Sequence, residues 1–128
     1  MNWISFFAVG IGAFGGAVVR WGLGLALNAA FPTLPLGTLA ANLLGGLLMG
    51  VALGGLPGFQ ALPPAGRLAF TTGFLGGLTT FSTFSAESVT LWMNREAGWA
   101  MAHTAVHLAG SLLMTFAGIG LVRLLGRP

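Results

Sequence analysis

The residues able to do chemistry in this chain concentrate in one stretch, GGLTTFSTFSAES, Gly76 to Ser88. It holds six hydroxyl side chains, the carboxylate Glu87, and two phenylalanines three residues apart, Phe81 and Phe84. At 100° per residue, Phe81, Phe84, Ser85 and Ser88 share one helical face, and Thr80, Thr83, Glu87 and Thr90 share another. Hydroxyls donate and accept, so they can line a path for a cation or an anion. The rings narrow the choice: an aromatic edge is positive and meets a small anion in a dry site, whereas a ring face favours a cation. Asn42 adds an amide donor, and Thr104 and Ser111 add hydroxyls, from other apolar runs. There is no lysine to trap an anion, which suits a conduit from which ions must leave as easily as they enter. No nucleophile–base pair or metal cluster of convincing spacing is present, so no enzyme activity is expected, and no thiol chemistry follows from a chain without cysteine.

These groups must be positioned by elements that cross a membrane. The 128 residues are 55% hydrophobic and 5% charged, against about 25% charged in a soluble domain. Such a chain cannot clothe itself in water-compatible surface. Five arginines against two glutamates, dispersed, make no basic patch, and nucleic acid is not an expected partner. About 20 apolar residues span the hydrocarbon as a helix. Four segments qualify: Trp3 to Leu27, Gly37 to Leu56, Leu68 to Met93 and Gly98 to Leu125, separated by the Pro32/Pro35 loop, the Pro57–Pro64 loop and an Asn94-Arg95-Glu96 turn. The expected fold is therefore an all-α membrane protein, a single four-span domain over 1–128. The first apolar run, without a basic stretch before it, reads as a retained span.

Arginine sets orientation. With alternating spans, Arg67, Arg123 and Arg127 lie on the N-terminal side, and Arg95 on the other, with Arg20 buried towards that end of the first span. The bias is weak enough for insertion in both orientations. Gly12 and Gly16, and Gly46, Gly50 and Gly54, recur every four residues and let backbones approach closely, within the chain or between subunits. Trp3, Trp21, Trp92 and Trp99 fall mostly near span ends, as headgroup anchors do. In the third span, Gly73, Gly76 and Gly77 followed by β-branched Thr79 and Thr80 predict a break near Gly76–Thr80. A broken helix at mid-depth frees carbonyls on one half and N–H groups on the other.

Across nearly its whole length the chain resembles the Fluc (CrcB) family of fluoride channels. The resemblance rests on four spans, the GGAVVRW run through Arg20, GTLAANLLGG around Asn42, and GFLGGLTTFSTFSAES in the third span. It implies a homodimer of two oppositely oriented copies in a bacterial plasma (inner) membrane, with two fluoride pathways along the subunit interfaces. By that similarity Phe81 and Phe84 supply ring edges to fluoride, and Asn42 orients a ring or donates to the ion. Ser82, Thr83 and Ser111 form a polar track with Thr38 nearby, and Arg20 lines a vestibule that draws anions in. Backbone carbonyls of Gly76 and Thr79 hold a structural sodium ion on the two-fold axis.

The fourth span departs from relatives that often carry tyrosine or serine there. His103 and His107, four apart, share a face and join the expected pathway, either as hydrogen-bond donors or packed at a polar interface. Two histidines without a third convincing ligand fall short of a zinc site. Glu87 is a candidate polar relay. It keeps an alternative open, a proton-coupled small-molecule exporter of dual-topology four-span type, although such exporters place their key glutamate in the first span, where this chain has none.

Overall fold

A computed structural model describes residues 1–126, and Arg127 of the orientation argument lies outside them. Every regular element among these residues is helical: α1 (Trp3–Leu27), a 3-10 turn (Asn28–Ala30), α2 (Leu36–Leu53), α3 (Pro57–Gln60), α4 (Pro64–Leu68), a π-helical stretch (Ala69–Leu75), α5 (Gly76–Leu78), α6 (Phe81–Met93) and α7 (Ala97–Leu125). Three helices, α1, α2 and α7, are each long and apolar enough to cross a membrane. The third expected span, 68–93, is not one helix. It begins earlier, with Pro64 at the first helical position where its missing N–H costs nothing. It runs through the π-helical turns to Leu78, breaks at Thr79–Thr80, and resumes as α6.

Local chemistry explains the ends. Asn2 caps α1, its side chain accepting from the Ser5 amide at 2.7 Å. Asn28, just past α1, reaches across the proline-bearing loop and accepts from the first free amides of α2, Gly37 N at 2.8 Å and Thr38 N at 3.2 Å. Proline precedes α2 and cannot cap it, so the residue ending one helix starts the next. Arg95, with φ 61°, turns the chain between α6 and α7.

The glycine stripes are spent within the chain. A Cβ on Gly16 would strike the Phe74 carbonyl and lie 2.7 Å from Leu78 N; one on Gly73 would lie 2.6 Å from the Val9 carbonyl. Thus Gly12 and Gly16 of α1 interlock with Gly73 and Gly77. Gly46, Gly50 and Gly54 of α2 lie against Ser111, Thr115, Gly118 and Val122 of α7 in the same way. In lipid, where apolar area gains nothing by leaving the solvent, such backbone contact is what holds helices together. The small core, Ala41, Leu75 and Leu78, sits where α2 meets the broken segment. The rest of the apolar surface, including Trp3, Ile11, Phe14 and Phe116, faces outward.

Candidate functional site

The break lies within the predicted window but not at its glycines. Gly76 and Gly77 are helical, and Gly77 is small because its Cβ would meet the Ala13 carbonyl of α1. The chain leaves the helix at Thr79 (φ −84°, ψ 155°) and Thr80 (φ −148°, ψ 119°). Thr79 closes the first half: its amide and its hydroxyl both donate to the Leu75 carbonyl, at 3.0 and 2.8 Å. Thr80 opens the second half as the N-cap of α6, its Oγ1 accepting from Thr83 N at 3.1 Å.

Backbone polar groups at membrane depth must be satisfied within the protein. Asn42 of α2 does this for Thr80. Its Oδ1 accepts from Thr80 N at 2.7 Å, and its Nδ2 donates to the Thr80 carbonyl at 3.1 Å. The same Nδ2 lies 3.0 Å from His107 Nδ1. On the α1 side, Arg20 Nε donates to the Gly77 carbonyl at 3.0 Å, placing a positive charge at the partly negative end of the first half-helix. Arg20 also lines a cavity of ≈ 310 Å³ with Thr38, Thr80 and Thr83.

The break takes helical donors from several carbonyls, Gly76 and Thr79 among them. The Thr80 amide, which a continuous helix would give to Gly76, goes to Asn42; the Thr83 amide, which would go to Thr79, goes to Thr80 Oγ1. Gly76 and Thr79 both line a groove of ≈ 470 Å³ on the face of the molecule where α2, the break and α7 meet. Asn42, Phe81, Phe84, His107 and Ser111 line the same groove. Phe81 is 73% exposed and Phe84 7%. Their rings meet edge to face, centroids 5.4 Å apart. Ser82 is exposed and Thr83 half-buried.

Behind the groove lies a second cluster that the sequence did not reveal as a unit. Thr38 Oγ1 donates to Glu87 Oε1 at 2.6 Å, and Glu87 Oε2 is 3.0 Å from His103 Nε2. His103 Nδ1 is 2.7 Å from Ser88 Oγ, which lies 3.3 Å from Thr104 Oγ1. Thr38, Ser88 and His103 are buried, and the ring of Phe84 stacks on His103 at 5.3 Å and 8°. Helical spacing put Glu87 and Ser88 on α6 and His103 on α7, but Thr38, 49 residues from Glu87, had no local signal.

The cluster also supplies the third ligand type that the sequence lacked for a metal: Glu87, His103 and His107 present ligand atoms within 4.8 Å of one another. The hydrogen bonds oppose that use. Thr80 N–H needs an acceptor, so Asn42 Oδ1 faces it, and the amide nitrogen necessarily faces His107 Nδ1. Nδ1 is then the acceptor and the proton sits on Nε2. A metal on Nε2 would need that proton removed while Nδ1 stays bare, a state a neutral imidazole cannot supply. In this tautomer His107 presents an N–H at Nε2 rather than a lone pair.

This architecture, three apolar spanning helices and a fourth segment broken at a polar groove, defines a helical integral membrane protein whose polar groups are gathered at one internal face. Residues 7–119 match the family model for "CrcB-like protein, Camphor Resistance (CrcB)", and the chain belongs to that family. It is 59% identical over 117 residues to a fluoride-specific ion channel FluC of Aromatoleum aromaticum, covering 91% of this chain and 89% of that one. It is 54% identical over 125 residues to the FluC of Cupriavidus pinatubonensis, covering 98% and 99%. A third FluC, from Chromobacterium violaceum, is 56% identical over 117 residues, covering 91% and 93%. These relatives are named as ion channels, not as enzymes.

Proposed function

We propose that this protein is a fluoride-selective channel that lets fluoride leave the cytoplasm passively across the bacterial plasma membrane. The observation that carries the proposal is the groove of Asn42, Thr80, Phe81, Phe84, His107 and Ser111, an aromatic and polar concavity on a chain whose exposed surface is largely apolar. Alone in lipid, that surface would be costly. Two copies in opposite orientation cover it, and the weak arginine asymmetry permits both insertions. The Pro64–Met93 segment then completes the four spans of each copy as the third in chain order, and two pathways run along the subunit interfaces.

Fluoride is small and strongly hydrated, so its water must be replaced by donors set along a narrow path. The edges of Phe81 and Phe84 offer positive ring hydrogens in a site too dry for water. Ser82, Thr83, Ser111 and Thr38 extend the track with hydroxyls. Arg20, in its cavity with Thr38, Thr80 and Thr83, draws anions to the entrance and, being already bonded to Gly77, does not hold them.

The carbonyls of Gly76 and Thr79 fit a structural sodium ion. Both have lost their helical donors, both residues line the groove, and carbonyl oxygen suits a hard cation. Two carbonyls from each copy give four ligands, and the ion would fix the two copies in register.

The test is reconstitution. Purified protein in liposomes loaded with fluoride is expected to release it rapidly without a proton gradient and to retain chloride. Efflux strictly coupled to proton uptake would replace the channel with an exchanger, and retention of every halide would remove transport altogether.

A further inference from the structure

In this chain both amide hydrogens of Asn42 are engaged, one by the Thr80 carbonyl and one by His107 Nδ1, while its oxygen accepts from Thr80 N–H. The amide has no free hydrogen for an anion. The donor that remains is one residue further on. His107 is 3% exposed, and its Nε2 is a buried polar atom with no hydrogen-bond partner among the described residues. A buried N–H left unpaired is costly, about 1–3 kcal/mol, and such groups in native proteins usually have a use.

We propose that His107 Nε2–H is an anion-binding donor of the pathway, and that the Thr80–Asn42 pair acts as a positioning relay that holds His107 in the tautomer able to donate. The extended backbone at Thr80 presents an N–H that, of the two ends of the Asn42 amide, only the oxygen can accept. This fixes the orientation of the Asn42 amide, which fixes Nδ1 of His107 as acceptor, which places the proton on Nε2. The break in the third span therefore sets the donor on the fourth. No reorganisation is needed when the anion arrives, because the proton is held in place beforehand.

Phe84 packs beside this donor: its ring lies 4.9 Å from the His107 ring, centroid to centroid, and 5.4 Å from Phe81. His103, 4.5 Å from His107, closes the other side and is itself tied to Glu87 and Ser88, so it does not compete for the Nε2 proton. The anion class is a small hydrogen-bond acceptor, which here rests on the fluoride reading above.

Nitrogen-15 spectra of the full-length protein in micelles, labelled at histidine and assigned with His107→Gln, test the tautomer without any transport. The expected result is a protonated Nε2 and a bare Nδ1 on His107; a protonated Nδ1 overturns the relay. Fluoride efflux from liposomes tests the donor. His107→Phe should lose about tenfold to a hundredfold of the rate, as expected for one hydrogen bond to a charged group. His107→Gln, which keeps an N–H near the Nε2 position, should stay within a few-fold of the wild type. Asn42→Asp, whose second carboxylate oxygen would pull the proton to Nδ1, should cost far more in the wild-type background than in His107→Gln. Wild-type protein that conducts fluoride while His107→Phe conducts equally well overturns the donor role alone. Wild-type protein that conducts none overturns the channel reading and the donor role together, whatever the spectra show.

Discussion

Arg20 of α1 and Gly77 of the third span, 57 residues apart, are joined by a hydrogen bond of 3.0 Å from guanidinium to carbonyl. The bond places one of the chain's few charges at the end of a helix that stops at Leu78, where the carbonyls have no following turn to bond. The same arginine thus serves the fold and faces a polar cavity. Arg20→Ala is expected to destabilise the protein by about 1–3 kcal/mol, the range for a hydrogen bond to a charged group. It should also lower the initial rate of fluoride entry at low salt. Arg20→Lys, which keeps the charge without the planar fork, should recover the rate better than the stability. Thermal unfolding in detergent and efflux at varied ionic strength separate the two.

Phe81 and Phe84 should part company on mutation. Phe81 is 73% exposed, so Phe81→Ile removes little packing, and melting should be unchanged while efflux falls steeply. Phe84 is 7% exposed and stacked on His103, so Phe84→Ile should lower both efflux and melting temperature. Equal melting losses for the two would contradict the packing described.

Glu87 ties Thr38 to His103, and the variants Glu87→Gln and Glu87→Ala distinguish structure from proton transfer. Glutamine can still accept from Thr38, and His103 can adopt the opposite tautomer, accepting at Nε2 and donating from Nδ1 to Ser88. Fluoride efflux should therefore persist in Glu87→Gln. Alanine leaves Thr38 and His103 unpaired in a buried place, at a cost of about 1–3 kcal/mol for each group. Abolished transport in Glu87→Gln with an intact fold would point to a proton-carrying carboxylate.

Neighbouring glycines make a further contrast. A Cβ at Gly77 meets the backbone of Ala13 and Ala17, so Gly77→Ala should disrupt packing against α1 and destabilise by about 1–3 kcal/mol. A Cβ at Gly76 would meet no atom of another element within 4 Å, so Gly76→Ala should leave the single chain folded. If Gly76 faces sodium and an oppositely oriented copy, the same substitution should weaken the dimer and its sodium dependence. Size-exclusion chromatography of both variants, with sodium and with a larger monovalent cation, checks this.

Much of the fold could be read in the sequence because lipid imposes simple rules. Low charge, apolar runs of spanning length and proline-marked loops gave α1 to the residue, and α2 and α7 to within a few residues, since in a bilayer a helix must satisfy its own backbone. The hydroxyl stripe and the Gly-Gly pair announced a break. What they left undecided was where it fell and what each glycine was for. Gly76 and Gly77 stay helical, and the threonines carry the break, because Thr79 and Thr80 can use their own hydroxyls to end one half and start the other. That choice is stable only because Asn42, 38 residues earlier, supplies both a donor and an acceptor to Thr80.

The sequence by itself determined that this chain lives in a membrane, crosses it as helices, and keeps a polar, aromatic segment where lipid should be. Each of those follows from composition and from spacing along a helix, which are local properties. Only the tertiary structure decided the partners: Asn42 with Thr80 and His107, Thr38 with Glu87, Arg20 with Gly77. Hydrogen-bond direction depends on which groups face each other after packing. Periodicity could place His103 and His107 on one face, but it took the bonds around each ring to give the first to the interior network and leave the second with a proton to offer.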